Sequence, residues 1–425
     1  MRNPKMDSRS NCKAPMSTSP IPDSQRNRRI NRGMLFGGFS IFALLYCVQP
    51  LMPLMAQQFM LTAAESSWVL SISTLTMSVS LVLGGALSDR IGRKALMTAS
   101  MIGGGACTLL CAFAQDFSQL LILRALLGVA LGGMPAVAMA YLGEEIAPQS
   151  LGVSIGMYIG GSALGGMLSR VLTSVVADYA SWRFALFGLG VAGLYAGWEF
   201  WRSLPAPNNF RPGRPGLNAL LDGARLHLRD DGLPWLFALG FLLMGVFVSL
   251  YNYIGYRLLA APFGLGQTAV GLLSVLYVLG MFSSVWAGRL ADRMGRRNVL
   301  WMTMAVTMAG LALTLSGNLI VLVAGMGLAT FGFFASHSVA SSWVGRRARA
   351  PQALASALYL FFYYLGSSLV GWLAGLAWGN WAWTGVVSVL LVMLGLGMLI
   401  ALRLRGLAPL AAAPTFPNLP AQEAI

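Results

Sequence analysis

Long apolar runs alternate with short polar or charged stretches along almost the whole chain. A helix needs about 20 apolar residues to cross roughly 30 Å of hydrocarbon. Runs of this length predict twelve membrane spans, which we number 1 to 12. Their predicted bounds are 33–55, 66–88, 95–114, 118–142, 151–175, 184–202, 234–258, 267–290, 299–316, 319–343, 353–377 and 381–402. The pattern therefore predicts an all-α integral membrane protein.

A charged segment between two of these runs occurs twice, at residues 85–94 and 288–297. The tripeptide Ala-Pro-Gln at 147–149 recurs at 350–352 with the same offset, since 292 − 89 and 351 − 148 both equal 203. Two matches at one offset indicate a unit of about 200 residues written twice. Each unit holds six spans, an even number, so both halves enter the membrane in the same direction. This is the parallel-repeat arrangement of one class of secondary transporters.

The polar stretches divide the chain into five regions. We predict disordered cytoplasmic tails at 1–32 and 404–425, where polar or Ala/Pro-rich sequence shows no apolar period. Six-helix bundles are predicted at 33–202 and 233–403, joined by a cytoplasmic loop at 203–232. Within that loop, residues 217–228 read as a short amphipathic helix lying on the membrane surface.

Composition and charge support a membrane protein rather than a nucleic-acid-binding one. Charged residues make up 10% of the chain, against about 25% in soluble domains. The formal net charge is +15, but all but four of the 29 Lys and Arg residues fall on one predicted side of the membrane. That asymmetry predicts cytoplasmic termini. The basic loops lack the interleaved aromatic residues of a nucleic-acid surface. The four exceptions are Arg124, Arg170, Arg183 and Arg257.

The duplicated segment resembles the signature loop of the major facilitator superfamily, between helices 2 and 3 and again between helices 8 and 9. The resemblance extends from about residue 33 to 403 and implies that family's fold of two six-helix bundles. It also implies a monomeric, multi-pass inner-membrane transporter with a small-molecule substrate, protons as the coupling ion and the lipid bilayer as surroundings. The nearest branch is the arabinose-efflux or acriflavine-sensitivity group of proton-linked permeases. The sequence contains no Walker phosphate loop, catalytic cluster or metal-ligand cluster, so we expect no enzyme activity, cofactor or metal.

The resemblance implies that the two charged segments are gates. Asp89 would face the start of span 11, near Pro351 and Gln352, and Asp292 would face the start of span 5. Arg93 would pair with Glu144 or Glu145. The alternative is that the arginines only anchor topology. The predicted gating residues are Gly85, Asp89, Arg90, Gly92, Arg93, Glu144, Gly288, Asp292, Arg293, Gly295 and Arg296.

Arg124 lies inside span 4, in a run that resembles the family's helix 4 motif. A charge at the centre of a span costs about 2.5–3.5 kcal/mol on insertion scales, so it usually has a function or a partner. Its counterpart in the second unit is Gly327. We predict a role for Arg124 in coupling or substrate contact, with snorkelling to the outer interface as the alternative.

Spans 1, 4, 7 and 10 line the central cavity in the resembled family, and polar and aromatic residues on spans 1, 4, 7, 10 and 11 are the candidate substrate contacts. Since none of the 14 acidic residues sits at the centre of a span, coupling would rest on Arg124, His337, Glu65 or an acid on the substrate. Imidazole titrates near neutrality. The predicted substrate contacts are Tyr46, Gln49, Arg124, Asn252, Tyr253, Tyr256, His337, Tyr359 and Phe362.

These features predict export of a small organic solute, amphipathic, drug-like or sugar-like, by proton antiport through rocking of the two bundles. The glycine-rich span 5 resembles the helix 5 motif of proton-coupled antiporters, although Gly166 stands where that motif carries proline. The alternatives are proton-linked uptake of an organic metabolite and a non-transporting sensor with the same fold.

Overall fold

The described residues, 23–208, 217–349 and 351–407 of a computed structural model, form helices and connecting turns without a β-strand. Nine helical segments in these ranges are long and apolar enough to cross a membrane. One of them, Gln352–Gly406, is two spans joined at a kink, where Trp381 and Ala382 leave helical geometry. Trp182–Ser203 and Arg296–Leu313 pack as further spans of the bundles. The twelve predicted spans are all present.

The first half contains spans 1 to 6. Span 1 consists of Asp23–Tyr46, a 3₁₀ turn at Gln49–Leu51 and Met52–Phe59, and spans 2 and 3 are Ala63–Ile91 and Arg93–Cys111. Span 4 consists of Phe117–Leu131 and Gly133–Glu145, and spans 5 and 6 are Pro148–Tyr179 and Trp182–Ser203.

The second half repeats this order after a separate helix at Leu217–Leu228. Span 7 is Leu233–Leu259, and span 8 runs through Gln267–Leu272, Leu273–Leu276 and Tyr277–Met294. Spans 9 and 10 are Arg296–Leu313 and Leu319–Arg347, and Gln352–Gly406 holds spans 11 and 12.

Glycines let equivalent helices approach closely in the two halves. A Cβ built on Gly165 in span 5 would lie 2.0 Å from the carbonyl oxygen of Phe39 in span 1. A Cβ on Gly366 in span 11 would lie 2.0 Å from the carbonyl oxygen of Phe241 in span 7. Only glycine permits such contacts. The repeat seen in the sequence is therefore also a repeat in helix packing.

Span 1 begins earlier than the sequence indicates. The helix starts at Asp23, so the prediction of a disordered tail through residue 32 is wrong for residues 23–32. Arg26, 8% exposed, forms an ion pair with Glu145 at the end of span 4 and donates to the carbonyl of Ala206. These contacts hold residues 23–32 in a helix that the polar sequence does not predict. The helix of span 12 continues to Gly406, so the prediction of a disordered tail from residue 404 is wrong for residues 404–406. Residues 1–22 and 408–425, to which the remaining tail predictions apply, lie outside the described residues.

The two ends of the bundle differ in how the halves contact each other. We call the end that carries residues 85–94 and 288–297 the charged end, and the opposite end the closed end. In the described part of the chain, the hydrogen bonds between the halves extend from the closed end to the middle of the bundle. They join Gln49 to Val248 and Asn252, Pro50 to Gln267, Ser66 to Tyr256, Ser71 and Thr74 to Ser368, and Asp178 to Thr268.

Candidate transport site and gates

The first charged loop turns at a glycine and is held by ion pairs within its own half. Gly92 has φ +94°, a conformation that side chains disfavour. Arg93 follows it and lies 2.8 Å from Asp89 and 2.9 Å from Glu144. It also donates to the hydroxyl of Ser88. The structure thus brings Arg93 to Glu144, one of the two acids that the sequence offered as its partner.

The second charged loop repeats this geometry in a more exposed form. Gly295 has φ +84°. Asp292 lies 3.1 Å from Arg296 and 3.6 Å from Arg346. Its side chain is 62% exposed, against 17% for Asp89. The remaining members of the predicted gate are the neighbouring residues Gly85, Arg90, Gly288 and Arg293; a Cβ on either of these glycines would have no neighbour within 4 Å.

The expected contacts between these aspartates and the other half are not made here. In the described residues, Asp89 pairs with Arg93 rather than with Pro351 or Gln352, and the Pro351 carbonyl lies 3.1 Å from Nε2 of His227. Asp292 likewise pairs with its own half rather than with the start of span 5. The reason is that the described hydrogen bonds between the halves lie away from the charged end. A latching role remains a prediction about another conformation.

Arg124 is fully buried among spans 1, 2 and 4 of the first half. Its Nε donates to the carbonyl of Val69 at 2.8 Å, and its Nη1 and Nη2 donate to the carbonyls of Leu44 and Leu45 at 3.2 and 2.8 Å. With an exposure of 0%, it does not snorkel. The geometry therefore overturns the snorkelling alternative, while the role in coupling or substrate contact stays a prediction. Arg124 links span 4 to spans 1 and 2, and each of its three guanidinium nitrogens donates a hydrogen bond to a backbone carbonyl.

Four of the predicted substrate contacts form part of the closed end. Gln49 donates to Asn252 Oδ1 at 2.7 Å, which joins spans 1 and 7. Tyr253 donates to the carbonyl of Gly371 at 2.6 Å, and Tyr256 lies 2.5 Å from the hydroxyl of Ser66. Tyr253 and Tyr256 therefore belong to the packed contacts of the closed end.

The predicted residues on spans 10 and 11 lie in an aromatic cluster nearer the charged end. His337 Nδ1 lies 3.0 Å from the hydroxyl of Tyr359, and the imidazole packs against the rings of Phe333 and Tyr363. Phe362 stacks on Phe237 at 5.8 Å and belongs to a separate apolar contact between spans 11 and 7.

Glu65 caps the start of span 2, and the coupling role predicted for it stays a prediction. Its carboxylate accepts the backbone N–H of Thr62, whose hydroxyl in turn accepts the N–H of Glu65. This reciprocal capping box satisfies free donors at the start of span 2. Glu65 is exposed at the closed end, so it has no contact with the centre of the bundle.

The family model of the Major Facilitator Superfamily matches residues 34–259 and 249–418. The chain belongs to the major facilitator superfamily. It is 46% identical over 376 residues to the inner membrane transport protein YnfM of Escherichia coli, covering 88% of this chain and 90% of that one.

Solved superfamily structures show the same fold at low sequence identity. A bacterial homologue of the lysosomal transporter Spinster, in an inward-facing conformation, matches with a TM-score of 0.72 at 14% identity, covering 91% of this chain and 97% of that one. A D-xylose-proton symporter matches with a TM-score of 0.72 at 16% identity, covering 90% and 98%. These structures show the fold, and the family match together with the relative at 46% identity shows a multi-pass inner-membrane transporter rather than an enzyme.

In parallel-repeat transporters, the substrate and the coupling ion bind where the two halves meet. Here the structure reveals two residues that the sequence analysis missed. Arg170, 2% exposed, donates to Gln49 Oε1 at 2.6 Å and to the carbonyl of Gly166 at 2.6 Å. Its guanidinium lies 4.4 Å from the ring centroid of Tyr46 and 4.9 Å from that of Tyr277, which belongs to the other half.

A signal for Arg170 was present in the sequence. It lies inside predicted span 5, and its counterpart 203 residues later is Leu373, so the charge is confined to one half just as Arg124 is. The sequence analysis named it only among the four basic residues that do not fall on the basic side of the membrane. The structure also gives a reason for Gly166 where the antiporter motif has proline. A Cβ there would lie 3.2 Å from Nη1 of Arg170, so the glycine leaves room for the guanidinium.

Proposed function

We propose that this transporter exports a small organic solute from the cytoplasm by proton antiport, with its charged end facing the cytoplasm. The observation that carries the proposal is the unequal bonding of the two ends. Among the described residues, the hydrogen bonds between the halves lie at the closed end and in the middle, while the ion pairs of the charged loops join residues of one half. Such an arrangement is expected of one end state of alternating access.

The closed-end contacts are suited to reversible opening. Most of them join neutral groups, such as Ser66 with Tyr256 and Thr74 with Ser368. A neutral hydrogen bond contributes about 1 kcal/mol net, so several can break if others form. In the alternate state, we propose that Asp89 leaves Arg93 for the start of span 11.

The proton site that we favour is His337. It lies on span 10 in an aromatic cluster and contacts the hydroxyl of Tyr359 at 3.0 Å. Imidazole is the side chain whose ordinary proton affinity suits a physiological pH gradient. The fold shared with the D-xylose-proton symporter is consistent with protons as the coupling ion. The glycine run of span 5 favours export over uptake.

Flux in inverted membrane vesicles tests direction and coupling together. A panel of amphipathic and sugar-like solutes is offered with and without an imposed proton gradient, using vesicles without the protein as the blank. Export by antiport predicts gradient-driven accumulation inside the inverted vesicles. Gradient-driven loss from preloaded vesicles would instead identify uptake in the cell. No protein-dependent flux of any solute would favour the sensor.

The matched variant is His337→Gln, which retains a polar side chain but cannot titrate. We expect residual flux without the gradient and no stimulation by it. Unchanged stimulation would remove His337 from coupling.

A further inference from the structure

Arg170 is a buried cation without an anion. In the described residues, its contacts are the amide oxygen of Gln49, the carbonyl of Gly166 and the faces of Tyr46 and Tyr277. No described carboxylate forms an ion pair with it. A buried charge normally requires an opposite charge, since neutral groups repay only part of its desolvation cost. The site therefore has one unmatched positive charge, placed between the halves.

The groups around Arg170 offer additional donors. A guanidinium can only donate, so Gln49 presents Oε1 to Arg170 and its Nε2 to Oδ1 of Asn252. This relay leaves Nδ2 of Asn252 as a free donor, and that atom is buried without a hydrogen-bond partner. The hydroxyl of Tyr46, whose ring covers the guanidinium, is also buried without one. Unsatisfied buried donors of this kind are uncommon, and a ligand with acceptor atoms would satisfy both.

Aromatic rings form the rest of the surroundings. Tyr277, on one face of the guanidinium, packs against Phe247 at 5.4 Å, and Phe247 stacks on Phe333 at 3.8 Å with an interplanar angle of 3°. Phe333 in turn stacks on His337 at 6.0 Å. A continuous row of rings thus connects Arg170 with the proposed proton site. Flat apolar groups pack favourably against such surfaces.

We propose that Arg170 is the substrate-binding cation of this transporter and that the substrate class is small aromatic monocarboxylates. The carboxylate accepts from Arg170, with Asn252 and Tyr46 as further donors, and the ring lies against the aromatic row. This inference deepens the proposed function and rests on it for the location of the site, although not for direction or coupling. It differs from the expectation of a neutral drug-like or sugar-like solute.

Equilibrium binding of radiolabelled benzoate to the full chain in lipid nanodiscs tests the proposal. The competitors are benzamide, which has nearly the same shape without charge, and benzylamine, which carries the opposite charge. We expect saturable benzoate binding and competition by benzamide that is at least about 10-fold weaker, because bonds to charged groups contribute about 1.5–3 kcal/mol. Absence of benzoate binding, or equal competition by benzamide or benzylamine, would overturn the proposal.

Substitutions separate a binding role from a structural one. Arg170→Gln should reduce benzoate affinity at least about 10-fold and abolish the preference over benzamide, and Arg170→Lys should retain part of that preference. The matched control is Arg257→Gln. The Arg257 guanidinium donates to the carbonyls of Thr314, Leu315 and Ser316, so this substitution should leave the preference for benzoate over benzamide intact. Equal loss of both probes in Arg170→Gln would indicate a purely structural arginine.

A second variant keeps the test valid if Arg170→Gln does not fold. Tyr46→Phe removes only the unpartnered hydroxyl and should weaken benzoate binding several-fold while leaving benzamide unaffected. An unchanged benzoate affinity in this variant would count against the proposal. Because binding is measured without a gradient, benzoate binding without export would reject only the proposed function. Export of a different solute without benzoate binding would reject only this inference.

Discussion

The closed end and the charged end are built from different kinds of contact. At the closed end, largely neutral side chains hydrogen-bond across the boundary between the halves, as Gln49 does with Asn252. At the charged end, ion pairs link residues of one half, as Arg93 links Asp89 and Glu144. We infer that contacts at the closed end set the conformational equilibrium, while those at the charged end hold each half together.

The largest effect should come from a contact within one half. Glu145→Gln removes the charge that pairs with Arg26, and both side chains are nearly buried. Breaking a buried pair costs about 3–5 kcal/mol. We expect a large fall in the thermal stability of detergent-purified protein. Glu199→Gln, whose exposed partner Arg202 lies 4.0 Å away, is the control and should change little. A stability equal to that of the unaltered protein would show that the pair does not hold the first half together.

The second-largest effect should be a loss of transport that differs between the two charged loops. Asp89→Asn is expected to reduce transport at least about 10-fold with normal membrane insertion, because the amide cannot replace the charge that latches the alternate state. Asp292→Asn should reduce transport less, since Asp292 is more exposed. Rates in vesicles, normalised to the amount of inserted protein, measure both. Full activity of Asp89→Asn would show that this loop only fixes the orientation of the helices in the membrane.

A smaller effect is expected at the closed end. Tyr256→Phe deletes the hydroxyl that lies 2.5 Å from Ser66 and should weaken the closed end by about 1 kcal/mol. The consequence is a several-fold shift toward closed-end opening rather than a loss of stability. Thiol labelling of Ser67→Cys, a position buried beside this contact, should become faster. An unchanged labelling rate would mean that this bond does not control opening.

The smallest effect should come from the exposed contact between Asp178 and Thr268. Asp178→Asn should change closed-end opening by no more than about 1 kcal/mol, because exposed charged contacts are weak and screened by salt. The same labelling assay, repeated at low and high salt, measures it. An effect larger than that of Tyr256→Phe would reverse the proposed order of the closed-end contacts.

Much of the fold is predictable from this sequence because the membrane restricts the options. Every span needs a long apolar run, and the duplicated charged segment reveals the repeat. The bounds of span 1 are less predictable, since residues 23–32 are polar and become helical in a helix that Arg26 anchors to Glu145 and Ala206.

The site is less predictable than the fold. Arg124 and Arg170 are both single charges within spans, and the motif around Arg124 directed attention to the arginine that neighbouring carbonyls bind. The difference is tertiary, since carbonyls of neighbouring helices occupy Arg124 while Arg170 lies between two tyrosine rings. Tyr277 was missed because an aromatic residue in an apolar span is ordinarily a packing residue.

Paired distance measurements at the two ends test the central claim most directly. Spin labels on a cysteine-free background would be placed at Gln149 and Arg293 on the charged end, and at Met60 and Trp381 on the closed end, all exposed positions in opposite halves. We expect two populations in which a shorter charged-end distance accompanies a longer closed-end distance. Asp89→Asn should remove the population with the short charged-end distance. The distances are measured at two pH values, because the proposed coupling ion is the proton. Distances that shorten at both ends together, or populations that do not change with pH, would contradict the account.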